Sequence, residues 1–309
     1  MKEELKEIYY QLLKIKNKLF YGENVVVLMY HRVSDVYNNE LSNLTVSVKN
    51  FDEQLSLFKQ KFKVLGVEDN WVGHKETGIV ITFDDGYADN ILNALPLLEK
   101  HGVSATVFVT TLNIGTDREF WWDRLEHDFS KAGEAFFLPG REEKIEKKGL
   151  RFKDLSEDVK RKDTEERNGW LMDFERLNAI DYKPRPEYRS LSLEELRRLG
   201  AHPLITLGVH THRHYALGTM SYEEQKQEVL NSIERLSLAS IPFINYLAFP
   251  FGSYSRDSFR LMNELGIKGA FLANNNYTNA FHKKQRRIDR VMALNYSRAE
   301  MVEFLKYYQ

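Results

Sequence analysis

No cysteine occurs among the 309 residues. That excludes a disulfide framework and thiolate chemistry, and any metal must bind through histidine, aspartate or glutamate. A basic surplus is missing too. Lys and Arg number 44 against 45 Asp and Glu, a net charge of −1, which argues against a nucleic-acid partner. There is no internal repeat and no low-complexity linker. Long apolar runs are absent: "VVVLMY" (25–30) is far too short to span a bilayer. The first twenty residues, "MKEELKEIYYQLLKIKNKLF", lack the uninterrupted apolar core of a secretory signal. The expected location is therefore the cytoplasm.

What the chain does have is alternation. The runs 24–30, 78–83, 105–111, 204–209, 244–249 and 269–273 read as buried strands. Helical patterns at 50–62, 88–102, 221–237 and 255–266 follow four of them, with serine caps or a closing glycine. Strand and helix in alternation imply a parallel sheet covered by helices. Over this length the expectation is an α/β barrel, residues 23–309. A charge-dense stretch at about 126–189 reads as a helical insertion lying over one end of it. Residues 1–22 form an amphipathic pattern of Leu5, Ile8, Tyr9, Leu12, Leu13 and Leu19 edged by lysines. Such a helix packs on the domain or, through about 1–20, touches an anionic membrane surface at the inner face.

Chemistry gathers at strand ends. "GIVITF" runs straight into Asp84, Asp85 and Gly86, and "LITLGV" into His210, Thr211, His212, Arg213 and His214. A barrel's active site lies at the C-terminal ends of its strands, so the two clusters meet on one rim. "NVVVLMY" delivers His31 there, and "INYLAF" delivers Pro250, Phe251 and Gly252. Alone, "DDG" reads as a turn and "HxxxH" as a surface spacing. Together at matched strand ends they point to an open metal site of two histidines and one carboxylate. One aspartate can then ligate while the other takes a proton from water, and the cation lets both stay ionised. His212 lies between the ligands as a bystander. Trp121 and Trp122 in "REFWWDRL" are either core packing or a sugar-stacking platform.

At these residues the sequence resembles the polysaccharide deacetylase family, also called the NodB-homology or carbohydrate esterase family 4 domain. "TFDDG" resembles its first motif, "HTHRH" its second and "AFPFGSY" its third, while "LMYHRV" and "FWWDRL" resemble members from bacterial surface-polysaccharide loci. The resemblance runs from about residue 25 to the end. It implies a distorted (β/α) barrel and metal-dependent removal of an N-acetyl group from an amino sugar in a glycan or glycan precursor. By position it implies Asp84 as general base, and Asp85, His210 and His214 as ligands of Zn2+, with Co2+ or Ni2+ as substitutes. It implies the Phe251 N–H as oxyanion donor, and a groove including Pro250, Gly252, Trp121 and Trp122. Because a cytoplasmic enzyme would not meet finished cell-wall polymer, the expected substrate is a nucleotide-linked, lipid-linked or oligomeric amino sugar.

Two departures stand out. The family's late Leu-x-x-His acid is absent, leaving His31 as the candidate for a site role. The arginine usual before the third-motif proline is absent as well, leaving Arg287 or Arg290 to supply a cation. The alternatives are a non-catalytic barrel that binds glycan or assembly partners, a deformylase of a lipid-linked amino sugar, and a metal-free glycosidase. Adjacent carboxylates fit the last poorly, since glycosidase carboxylates stand about 5–10 Å apart across the scissile bond.

Overall fold

The computed structural model describes residues 24–308, apart from 38–40, 42, 72–75, 150, 277, 279–282 and 285. The amphipathic stretch 1–22 therefore lies outside the described residues. All six apolar runs contain strands. In chain order the main sheet comprises β1 (Val25–Tyr30), β2 (Lys63–Leu65), β3 (Gly78–Phe83), β4 (Ala105–Val109), β5 (Ile205–Val209), β6 (Tyr246–Ala248), β7 (Gly269–Phe271), β8 (Arg287–Ile288) and β9 (Val291–Met292). The spatial order is β8-β7-β6-β5-β4-β3-β1-β9, with β2 beside the start of β3, and every pairing is parallel.

Its two edges belong to one segment. Ile288 pairs with Phe271 of β7, and Val291 pairs with Leu28 of β1. The chain from Arg287 to Met292 thus crosses from one edge of the curled sheet to the other and closes a distorted (β/α) barrel.

Alternate residues separate two apolar layers, as the period of a strand requires. Val26, Leu28, Ile79, Ile81, Val107 and Val109 face the surrounding helices. Val25, Val27, Val80, Phe108, Ala248, Phe271 and Ile288 fill the barrel. The outer helices are α1 (Val48–Lys61), α2 (Leu95–His101), α6 (Leu193–Gly200), α7 (Tyr222–Leu238), α8 (Arg256–Glu264) and α9 (Arg298–Lys306). Several begin where the sequence supplies a cap: Ser192, Ser221 and Ser297 each accept from the backbone three residues on, and Glu195, Glu224 and Glu300 return the bond.

The charged middle folds into α3 (Trp121–Lys131), α4 (Phe152–Lys160) and α5 (Thr164–Leu177), with an antiparallel pair, Ala135–Phe137 against Lys144–Glu146. It carries its own core of Trp121, Leu125, Phe129, Phe136, Leu155, Val159, Leu171 and Phe174. Charges occupy the outer face of α4, but Asp123, Glu126 and Asp128 of α3 and Arg167 of α5 are buried, so charged residues interrupt the apolar periodicity in the sequence.

Gly208, in β5, has no room for a side chain. It pairs with Phe108, and a Cβ there would stand 2.5 Å from two ring carbons of Phe108. Gly208→Ala is expected to destabilise the barrel by about 1–3 kcal/mol through overpacking, measured by urea denaturation. An unchanged midpoint would show that the barrel interior yields freely at this point.

Candidate active site

The strand β3 ends at Phe83, and the Asp84 N–H still donates to Tyr30 O at 2.9 Å. The backbone then turns sharply, with φ of 74° at Asp85 and 81° at Gly86. A Cβ on Gly86 would crowd Val109 Cγ1 at 3.2 Å, so glycine suits both the angle and the space. The turn sends the two carboxylates to different partners, which resolves the repulsion their adjacency implies.

Asp84 meets Arg290. Nη1 donates to Oδ1 at 2.6 Å and Nη2 to Oδ2 at 2.7 Å, and both side chains are buried. Arg290 Nε also donates to Leu272 O, and Nη1 to Thr82 Oγ1. Burial alone would raise the Asp84 carboxyl, but the Arg290 guanidinium, aided by His210, holds it well below the usual carboxylate range.

Asp85 meets the histidines. His214 Nε2 lies 3.2 Å and His210 Nε2 3.5 Å from Asp85 Oδ1. The two Nε2 atoms are 3.1 Å apart, and one donor atom from each of the three residues falls within 4.8 Å of the others. His210 Nδ1 sits 2.8 Å from Ala248 O, which can only accept. Nδ1 therefore carries the proton and Nε2 presents a lone pair. Burial lowers both imidazoles, His214 to about 3, so they are neutral near pH 7. Asp85 Oδ1 is buried without a hydrogen bond among the described residues. Neutral imidazole nitrogens and a carboxylate oxygen converging at buried positions are the donor set of a zinc-type cation, and these residues fit one.

The backbone is bent to achieve this. Asp85, Thr211, His214 and Phe251 all have left-handed φ, between 56° and 74°. Such conformations persist where surrounding structure holds them, and they cluster at working sites.

Around the cluster lies a cavity of about 430 Å³. Phe251 lines it, 39% exposed, its ring centroid 4.5 Å from that of His214. Its N–H donates to no backbone carbonyl among the described residues. Pro250 is buried, and Gly252 packs so closely that a Cβ would meet Ala273 Cβ at 2.9 Å. His31 also lines the cavity, with a buried Nδ1 that has no hydrogen bond among the described residues. Trp121 belongs to the insertion core and still borders the cavity. Trp122 packs on His214, ring centroids 4.7 Å apart, and donates to Tyr87 Oη at 2.8 Å. His212 does not join the cluster; its Nδ1 lies 2.9 Å from Thr111 Oγ1. Arg287 is exposed beside Tyr254 and Phe259, so the cation at the site is Arg290. The sequence reading missed Lys160. It reaches in from α4, with Nζ 4.2 Å from the Phe251 ring centroid. One lysine in a run of charges carries no signal of this.

The polysaccharide deacetylase profile matches residues 72–270. The chain belongs to the polysaccharide deacetylase family. The Bacillus subtilis (strain 168) protein YxkH is 32% identical over 98 residues, covering 29% of this chain and 33% of its own, so the match spans about a third of that relative. Three solved structures share the polysaccharide deacetylase fold over nearly the whole chain. IcaB from Ammonifex degensii has a TM-score of 0.60 at 16% identity, covering 92% of this chain and 97% of its own. The Streptococcus pyogenes deacetylase PplD in complex with acetate has a TM-score of 0.57 at 18% identity, with coverage of 91% and 97%. The de-N-acetylase from Aggregatibacter actinomycetemcomitans has a TM-score of 0.57 at 12% identity, with coverage of 91% and 99%.

Arg290→Met would leave Asp84 as a buried charge without its partner. A loss of about 3–5 kcal/mol is expected. Because the folded carboxyl is depressed, the stability from this pair is complete above the ordinary aspartate value of 3.8 and is lost as pH falls through the folded value. The gap between wild type and variant should therefore be widest at neutral pH and shrink on acidification, read by denaturation at several pH values. A gap that grows toward low pH would contradict the assignment.

Proposed function

We propose that the protein is a metal-dependent carbohydrate N-deacetylase, which removes the N-acetyl group of an amino sugar in a glycan or glycan precursor. The observation that carries this reading is the division of the adjacent aspartates, Asp85 toward two neutral imidazoles and Asp84 onto a buried arginine.

Asp85, His210 and His214 would hold the divalent cation, zinc by donor type, with cobalt or nickel as substitutes. When bound, such an ion lowers the pKa of water from 15.7 to about 7 and polarises a carbonyl. Asp84 stays ionised near neutrality because Arg290 faces it, so a proton-accepting oxygen is always available beside the cluster. The bidentate bond also fixes the direction of that carboxylate. The Phe251 N–H, free of a backbone acceptor, is the donor for an oxyanion developing on the acetyl carbon. Phe251 and Trp122 wall off His214 from bulk water. Lys160 lines the cavity and can give the proton that the departing amine needs, whereas burial lowers the His31 imidazole below its ordinary value and leaves it neutral near pH 7. The products are acetate and a free amino sugar.

Asp84→Asn removes the base and also leaves Arg290 without its buried counter-ion, so activity is read only on protein that circular dichroism shows to be folded. On that protein kcat for acetate release is expected to fall by about 10²–10⁴, assayed on N-acetylated amino sugars. Acetate release at the wild-type rate would remove Asp84 from the base role. A second expectation concerns Phe251. Since the donor is a backbone N–H and the ring only covers His214, Phe251→Tyr should retain most of kcat for acetate release; a loss of about 10²-fold or more would show that the phenylalanine side chain itself is required.

A further inference from the structure

A second cavity of about 340 Å³ adjoins the first, sharing Trp121 and Trp122 as a wall. Four arginines line it from four places in the chain: Arg118 ahead of α3, Arg124 on α3, Arg167 on α5, and Arg213 next to the ligand His214. One carboxylate lines it as well, Glu119, and Arg185 neutralises that group through bonds of 3.1 Å and 2.6 Å. With Arg124 paired to Glu175 and Arg213 to Glu228, Arg118 and Arg167 leave the cavity wall a surplus of positive charge.

The guanidinium groups are only partly used. Ion pairs around the cavity engage Arg124, Arg185 and Arg213, but neither Arg118 nor Arg167, among the described residues. Arg124 and Arg213 reach Glu175 and Glu228 through Nε, both at 2.6 Å, and their Nη atoms make no hydrogen bond among the described residues. Arg167 is 3% exposed and donates only to the carbonyls of Val159, Lys160 and Lys162. A buried guanidinium without a counter-ion is costly to keep. Planar arginine forks match phosphate oxygens in two-point geometry.

We propose that this cavity binds a phosphate or diphosphate group, so that the amino sugar reaches the deacetylation site as a glycosyl phosphate or diphosphate. As a statement about substrate, this rests on the deacetylase reading; as a statement about an anion site, it does not. Two carriers offer the same chemistry, a nucleotide and a prenyl lipid. The arginines read the shared group, and the carrier is a matter for experiment.

Tryptophan fluorescence reports on the site, because two of the four tryptophans line it. Wild type and Arg118→Glu are titrated with inorganic pyrophosphate, UDP and a short prenyl diphosphate, with N-acetylglucosamine as the neutral control. Arg118 is exposed, so its reversal should leave the fold intact by circular dichroism; Arg118→Gln serves if it does not. Saturable binding of pyrophosphate, weakened about tenfold or more by the substitution, is expected. Tighter binding of UDP than of pyrophosphate supports the site with a nucleotide carrier, and tighter binding of the prenyl diphosphate supports it with a lipid carrier. No saturable binding of any diphosphate overturns the proposal, and so does binding that Arg118 substitution leaves unchanged. Diphosphate binding by protein that releases no acetate from UDP-N-acetylglucosamine or from a prenyl diphosphate of N-acetylglucosamine would remove the deacetylase reading and keep the anion site. Acetate release from neutral sugars without diphosphate binding would do the reverse.

Discussion

The buried pair between Asp84 and Arg290 ties the barrel to its chemistry. Arg290 sits between β8 and β9, the two short strands by which one segment joins both edges of the sheet. Its guanidinium reaches across to the end of β3 and fixes Asp84 by two bonds. Neither charge is tolerable there alone, since an isolated buried ion costs several kcal/mol. Closing the barrel and ionising the carboxylate are thus one event. The left-handed turn at Asp85 and Gly86 separates the two side chains, so that Asp85 faces His214 at 3.2 Å and His210 at 3.5 Å while Asp84 Oδ2 stands 3.7 Å from His210 Nε2.

Much of this was legible in the residues. Short continuous apolar runs announced β1, β3, β4 and β5, because a parallel sheet buried on both faces needs near-continuous apolar strands. The two polar clusters followed strand ends, and strand ends meet on one rim. Three strands of the main sheet were not legible. Lys63–Leu65, Arg287–Ile288 and Val291–Met292 span two or three residues each and, unlike the equally short Tyr246–Ala248 and Gly269–Phe271, lie in no apolar run. For the same reason the cation at the site could be narrowed to Arg287 or Arg290 but not chosen. Only the register decides it, by turning Arg287 outward and Arg290 into the closure.

The insertion was harder still. Its charge hides a packed core, and its contribution to the site is a matter of tertiary placement. Tyr215, one residue past His214, accepts from Thr164 N at 2.6 Å and so docks α5 against the histidine loop. Arg167 stacks on Trp121 and holds the end of α4 by its carbonyls. Lys160 then hangs over Phe251, and the tryptophans stand between two cavities. No helix among the described residues is long and apolar enough to cross a membrane.

The central claim is that Asp85, His210 and His214 hold a divalent cation. Elemental mass spectrometry of tag-free protein, comparing wild type with His210→Ala, tests it most directly. The account predicts about one equivalent of zinc, cobalt or nickel in the wild type and its loss in the variant. Absence of metal from both after reconstitution, with the fold intact, would contradict it.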